Sequence, residues 1–184
     1  MGQYYKIIIL ADTKYKKEVI RAWLCPQTFG NGAKLMEHSY IDNNFVKILE
    51  YLISPIGMFY MSRIVWSGDY ADNEESENEN LYRITEEKEN LELVTECPVS
   101  DFYYRYIINH TQKLYIDKEK CSKNSNSYVI HPLPLLISEG NGRGGGDYSG
   151  QNEHLCGSWS RDIISIDSTI PEEFTEIECD FCVK

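Results

Sequence analysis

The chain opens on an apolar run. Residues 4–11 are aromatic and β-branched, the pattern of a buried strand. A polar turn over 12–17 and a second mixed run over 18–24 predict a returning strand, hence an opening hairpin. Cys25-Pro26-Gln27-Thr28-Phe29-Gly30 is turn chemistry, followed by a short extended piece over 33–38. Asp42 or Asn43 can cap a helix over 44–53, where Phe45, Ile48, Leu49 and Leu52 recur at helical spacing and Pro55 ends the run. Residues 58–66 alternate as a central strand does. Short strands are expected over 81–84 and 91–94. A helix is expected over 99–110, where Phe102, Tyr106 and His110 stand four apart. Further strands are read over 113–116, 128–130, 133–138, 157–166 and 175–181, with one helical turn at Pro171-Glu172-Glu173. The sum is an α+β fold, a β-rich single domain over 1–184 with one clear helix and long loops.

Length and composition agree. A chain of 184 residues, 42% hydrophobic and 26% charged, fills one globular domain, and folding hides roughly 70% of its unfolded surface. With a mean hydropathy of -0.44 and no apolar run near the ~20 residues that span a bilayer, no membrane segment is expected. Residues 1–6 lack a basic region followed by an apolar one, so a cytoplasmic location is expected.

Charge is uneven. The net is -11, and residues 69–101 carry 12 acids against two bases, whereas residues 1–68 have a net of +3. The stretch 73–80 holds no apolar residue and reads as an acidic solvated loop; residues 167–184 read as an acidic tail. Overall acidity argues against a free-standing nucleic-acid binder. Local bases still leave room for basic edges, with Lys14, Lys16, Lys17 and Arg21 on one and Lys34 apart from it.

Six of the twelve glycines lie in 140–150, within a Gly-rich loop over 139–153. Gly140, Gly142 and Gly145 match G-x-G-x-x-G in form, but no helix pattern follows to face a pyrophosphate. The loop is either a hairpin tip or a cradle in which Arg143 and the amides of Gly144 and Gly145 hold a phosphate. Asp69 and Asp72 end a strand as turn residues, or, with Asp147 and Arg161, form the site of an enzyme of unknown class. Arg161 is expected to pair with Asp69 or Asp147. Cys179-Asp180-Phe181-Cys182 is a lone CxxC. A zinc site on Cys179 and Cys182 would need distant ligands, so no metal and no cofactor are expected. No nucleophile elbow occurs.

Four stretches carry a resemblance: 1–6 (Met-Gly-Gln-Tyr-Tyr-Lys), 31–39 (Asn-Gly-Ala-Lys-Leu-Met-Glu-His-Ser), 65–72 (Val-Trp-Ser-Gly-Asp-Tyr-Ala-Asp), and 140–150 followed by Gly157-Ser158-Trp159-Ser160-Arg161-Asp162. Together they resemble a single-domain family that begins Met-Gly-Gln-Tyr-Tyr and includes the microsporidian dormancy factors. Richness in Asn, Lys, Ile and Tyr fits an AT-rich genome of that kind. The resemblance implies a non-enzymatic ribosome hibernation factor, a monomer on the ribosome. It would occupy the tRNA exit region (the E site) near the L1 stalk and block translation. No catalytic residues come with it. The expected contacts to ribosomal RNA and basic ribosomal proteins are Lys14, Lys16, Lys17, Arg21, Lys34, Arg143, Gly144, Gly145 and Arg161, with no membrane partner.

Overall fold

The opening apolar run does form a strand, β1 (Tyr5–Leu10), buried along its whole length. The computed structural model describes residues 3–11, 19–75, 77–87, 93–96, 102–123, 128–141 and 148–182. In chain order there follow β2 (Ile20–Leu24), a 3-10 turn over Pro26–Phe29, α1 (Leu35–His38), α2 (Asn44–Leu52), β3 (Ser62–Gly68) and α3 (Leu81–Glu87). The rest are β4 (Tyr106–Asn109), β5 (Leu114–Asp117), α4 (Pro132–Leu136), β6 (Ser138–Glu139), β7 (Ile163–Asp167) and β8 (Thr175–Glu176).

The strands form one mixed sheet of eight, in the order β2-β1-β3-β7-β4-β5-β8, with β6 pairing β3 off that path. With four helices beside it, the fold is α+β and β-rich. β1 and β3 pair antiparallel from Tyr5↔Gly68 to Leu10↔Arg63. β3 then divides its other edge. Ser62 and Arg63 pair β7, whereas Trp66 and Ser67 pair β6 in parallel. Alternation along the strands separates two faces. Tyr5, Ile7, Ile9, Ile64 and Trp66 join the main core with α2 and α4, while Ile8, Leu10, Val65 and Leu81 form a smaller cluster under α3.

α2 starts as expected: the Asn43 Oδ1 accepts from the Phe45 and Val46 amides, and Phe45, Ile48, Leu49 and Leu52 are buried. Several expected elements differ. Residues 35–38 turn once as helix instead of extending, with Glu37 bonding back to the Lys34 amide. Residues 81–87 are helix because the Asn80 Oδ1 accepts from the Arg83 amide. Residues 132–136 are helix because Pro132 fits a first turn and the His131 ring caps it. The helix expected over 99–110 is instead β4, whose Ile107, Ile108 and Asn109 are buried on both faces between β5 and β7. The strand expected from 58 begins only at Ser62. Before it, tight turns bury Phe59 and leave Ile56, Met58, Tyr60 and Met61 exposed. The strand expected over 157–166 begins at Ile163. No helix among the described residues is long and apolar enough to cross a membrane.

The tail is not a free acidic end. β8 pairs β5, and Cys179 and Phe181 are buried. Nor is 73–80 wholly solvated. Asn80 is buried and donates to the Asp69 and Ala71 carbonyls, and Glu74 is drawn into an ion pair described below.

Between α2 and α4 lies a buried ionic cluster that no local pattern announces. Glu50, Lys118 and His131 are 6%, 3% and 1% exposed. The Lys118 ammonium and the His131 Nε2, at 2.8 Å, both meet the Glu50 Oε1. The His131 Nδ1 accepts from the Leu133 amide, so Nε2 carries the proton and the ring is neutral. Burial pushes the imidazole below its ordinary 6.5. Burial alone would raise the Glu50 carboxyl, but the His131 bond and the Lys118 charge outweigh it and hold it below its ordinary 4.5.

Both shifts are depressions, so both contribute stability that is present at neutral pH and lost on acidification. The His131 share fades as pH falls below 6.5, and the Glu50 share fades as pH falls below 4.5. Urea midpoints should therefore fall in two stages from pH 7 to 3. His131→Asn, which keeps a capping acceptor, should shrink the upper stage to the share of His110, which burial also depresses, and should move the Glu50 stage toward higher pH. Glu50→Ala, which strands the Lys118 charge, should cost about 3–5 kcal/mol at pH 7. Midpoints that stay level from pH 7 to 3 would contradict this account.

Candidate functional site

The stretches that carry the resemblance are far apart in sequence, and the β1–β3 pairing brings 3–6, 31–39 and 65–72, with Gly140, to one end of the sheet. The Tyr4 amide donates to the Asp69 Oδ1 at 3.0 Å, and the Asp69 amide donates to the Tyr4 carbonyl at 2.9 Å. Tyr4 bridges Lys34, and the Tyr5 amide donates to the Ala33 carbonyl at 2.9 Å. Beneath them, the Trp66 indole donates to the His38 Nε2 at 3.0 Å, and the His38 Nδ1 donates to the Gly32 carbonyl at 2.9 Å. An imidazole that accepts at one nitrogen and donates at the other is neutral, so His38 is a buried strut tying 31–39 to β3.

Residue 140 enters the same place. The Tyr5 hydroxyl donates to the Gln3 Oε1 at 2.7 Å, and the Gln3 amide lies against Gly140. A Cβ on Gly140 would stand 2.5 Å from the Gln3 Oε1 and 2.8 Å from the Tyr5 Oη. Gly140 is therefore required by close approach. The Gln3 Nε2 is buried without a partner, as is the Ser67 Oγ on the opposite face of β3. On the outside of this assembly Tyr4 and Tyr70 are 46% and 49% exposed.

From the fourth stretch, the Arg161 side chain reaches Glu139 and Glu74, and Asp147, one of its two expected partners, lies outside the described residues. The Arg161 Nε and Nη2 donate to the two Glu139 oxygens at 2.7 and 2.8 Å, and its Nη1 and Nη2 donate to the two Glu74 oxygens at 2.9 and 2.6 Å. Ser160 adds a hydroxyl bond to the Glu139 Oε1 at 2.6 Å. Burial works against the Arg161 charge, and the bonds to Glu139 and Glu74 more than restore it, so its pKa is raised. The backbone is left-handed at Arg161 (φ 64°), an uncommon conformation for a side chain of this size. The surrounding bonds hold it there: the Arg161 amide donates to the Ile64 carbonyl at 2.9 Å, and the Arg63 Nε donates to the Arg161 carbonyl at 3.0 Å. Facing two carboxylates bidentately, this guanidinium is a clamp turned inward rather than a receptor for phosphate.

The other expected site residues are dispersed. Lys14, Lys16, Lys17, Arg143, Gly144, Gly145 and Asp147 lie outside the described residues. Arg21 is exposed, and its guanidinium lies 4.9 Å over the Phe59 ring, toward the Leu10 end of β1. Lys34 lies at the Tyr4 end. Asp69 is engaged with the Tyr4 amide, and Asp72 is exposed. Cys179 is buried and Cys182 half-buried, and burial raises both thiols. Among the described residues no three His, Cys, Asp or Glu side chains are arranged to hold a metal ion. Gln3, Glu74 and Glu139 were missed as site residues. The Glu74 role had no local signal, since only the fold brings a polar run from 73 onto Arg161.

Removing the Arg161 guanidinium leaves two half-buried carboxylates facing one another. Arg161→Ala should lower stability by about 2–4 kcal/mol at pH 7. Adding Glu74→Gln should recover part of the loss, although Glu74→Gln alone destabilises. A double-mutant cycle by urea unfolding measures the coupling, and strict additivity would refute the clamp. No protein-family model, no curated protein and no solved structure matches this chain.

Proposed function

We propose that this chain is a ribosome-associated dormancy factor that occupies the tRNA exit region of idle ribosomes, near the L1 stalk, and blocks translation by filling that space. The observation that carries the proposal is the convergence described above. Stretches 3–6, 31–39 and 65–72, with Gly140, meet at one end of the β1–β3 pair, joined by main-chain bonds and the His38 strut, while Arg161, whose backbone is bonded to Ile64 and Arg63 toward the other end, reaches Glu139 next to Gly140 with its guanidinium.

That end has a stiff interior and an outward face of tyrosine rings. Tyr4 and Tyr70 offer ring faces for unpaired bases, beside the half-buried Lys34. Of the nearby acids, Glu74 and Glu139 are spent on Arg161 and Asp69 on the Tyr4 amide, so these three repel a phosphate backbone less than bare carboxylates would, whereas Asp72 and Glu75 stay exposed. Acting by occlusion, the protein needs no turnover, and the proposed setting is the cytoplasm.

Sucrose-gradient centrifugation tests this directly. Mixed with vacant ribosomes at low salt, the purified protein should sediment with them. The Tyr4→Ala/Tyr70→Ala double variant, with both rings exposed and so expected to fold normally by circular dichroism, should remain largely at the top. Wild-type protein that stays at the top of the gradient would end the proposal.

A further inference from the structure

At the opposite end of the β1–β3 pair, between α2 and β3, residues 55–61 form a knob that turns apolar side chains outward. Its backbone is fixed. The Gly57 amide donates to the Ser54 carbonyl and the Phe59 amide to the Leu52 carbonyl, both at 2.8 Å. A Cβ on Gly57 would stand 2.1 Å from the Tyr51 carbonyl oxygen, so the turn takes only glycine. Phe59 is buried and roots the knob in the main core. Met61 is left-handed (φ 54°) as the chain enters β3. This frame presents Ile56 and Met58, 63% and 62% exposed, with Met61 and Tyr60 at 44% and 40%. Four outward apolar side chains within six residues make a patch, unlike the scattered single exposures of an ordinary surface.

The charges beside the knob decide what suits it. Residues 51–62 contain no charged side chain. The exposed Arg21 guanidinium lies 4.9 Å over the Phe59 ring, and Arg63 follows in β3 with its Nε on the Arg161 carbonyl. Asp167 meets the Tyr60 hydroxyl, and it also accepts from the Ser168 and Thr169 amides at 2.7 and 3.1 Å, which offset its charge. Asp69 and Asp72 come after Gly68, at the far end of β3, roughly 20 Å away at about 3.3 Å per residue. That exceeds the ~8 Å over which exposed charges act at physiological salt. The apolar tip therefore stands beside guanidiniums and apart from those acids. A basic protein surface would be repelled by Arg21, and a nucleic-acid strand has no use for Ile56 and the two methionines. A lipid surface accepts both features: apolar side chains enter the acyl boundary while the guanidinium stays with the phosphates.

We propose that the 55–61 knob anchors the protein to the surface of an anionic phospholipid bilayer: Ile56, Met58 and Met61 enter the boundary between headgroups and acyl chains, and Arg21 pairs with lipid phosphate. The knob lies on the bilayer and spans nothing. The inference goes beyond the ribosome proposal and does not depend on it.

Co-sedimentation with vesicles tests it, using phosphatidylcholine alone and phosphatidylcholine mixed with phosphatidylserine. Wild-type protein should pellet with the mixed vesicles, less with phosphatidylcholine alone, and less as salt rises. The Ile56→Ser/Met58→Ser double variant changes only exposed side chains and should fold normally by circular dichroism. It should bind mixed vesicles roughly tenfold or more weakly. Ile56→Leu/Met58→Leu, which keeps the apolar surface, should bind as wild type does. Arg21→Gln should weaken binding to mixed vesicles about fivefold and leave binding to phosphatidylcholine alone unchanged. Wild type that stays in the supernatant with mixed vesicles, or a serine double variant that pellets as wild type does, would overturn the anchor. Failure to pellet with vesicles, together with a dimer in solution that the serine double variant abolishes, would give the knob to a second copy of the chain and overturn it equally.

Discussion

At the point where β3 exchanges one partner strand for another, a single guanidinium holds two carboxylates. The division of that edge between β7 and β6 would leave the 157–161 turn and the start of the glycine-rich segment with no common anchor. Arg161 supplies one by binding Glu139 of β6 and Glu74 of the acidic stretch, each through two bonds. The pairs are only partly desolvated, with side-chain exposures of 25% for Arg161, 11% for Glu74 and 24% for Glu139, so the attraction is stronger than at an open surface. The left-handed backbone at Arg161 is the local cost, and the Ile64 and Arg63 bonds to its main chain keep the residue there. Residues 140–141 and the 73–75 segment therefore take their positions from one side chain.

The same economy governs the other buried charges. Glu50 has Lys118 and His131, Asp117 has Arg105, and Lys6 lies between Glu86 and the Tyr82 and Trp23 rings. Burial costs each of these ions hydration, and each is offset by an opposite charge or a ring face. A net charge of -11 consequently overstates how acidic the folded surface is near the sheet. Lys118 and Glu50 also lie 68 residues apart in sequence, so the cluster fixes how α2 meets the turn after β5. A buried pair of that kind is a device for specificity of packing more than for gain in stability.

Legibility followed how local each signal was. β1, the opening hairpin and α2 could be read because their patterns are complete within ten residues: an unbroken apolar run, or Asn43 followed by apolar residues at helical spacing. α4 was missed because Leu133, Leu135 and Leu136 suit either period, and a histidine is an unusual cap. α3 had its signal in Asn80, overlooked beside a charged run. β4 was misread because three side chains happened to stand four apart, whereas the burial of Tyr106–Asn109 between two strands is a tertiary fact. For the candidate site, Arg161 was given Asp69 or Asp147 as partner, and Asp147 lies outside the described residues. Sequence proximity of charge to motif cannot say that Glu74 rather than Asp69 faces it, because that depends on how β3 splits its edge.

A factor that works by occupying space depends on keeping its shape when a large partner closes on it. Contacts made by loops that order only on binding lose affinity to entropy, whereas contacts presented from a paired sheet do not. Here Tyr4 sits beside the start of β1, with its amide and carbonyl both bonded to Asp69, and Tyr70 follows in the turn that Asn80 fastens by donating to the Asp69 and Ala71 carbonyls. The exposed rings thus stand on backbone that is already hydrogen-bonded, and their main remaining freedom is about their own side-chain torsions. Under the proposed function, that arrangement would suit recognition of an irregular, unpaired RNA surface. Stacking tolerates small errors of angle, whereas proton or group transfer needs reactive atoms within hydrogen-bond reach.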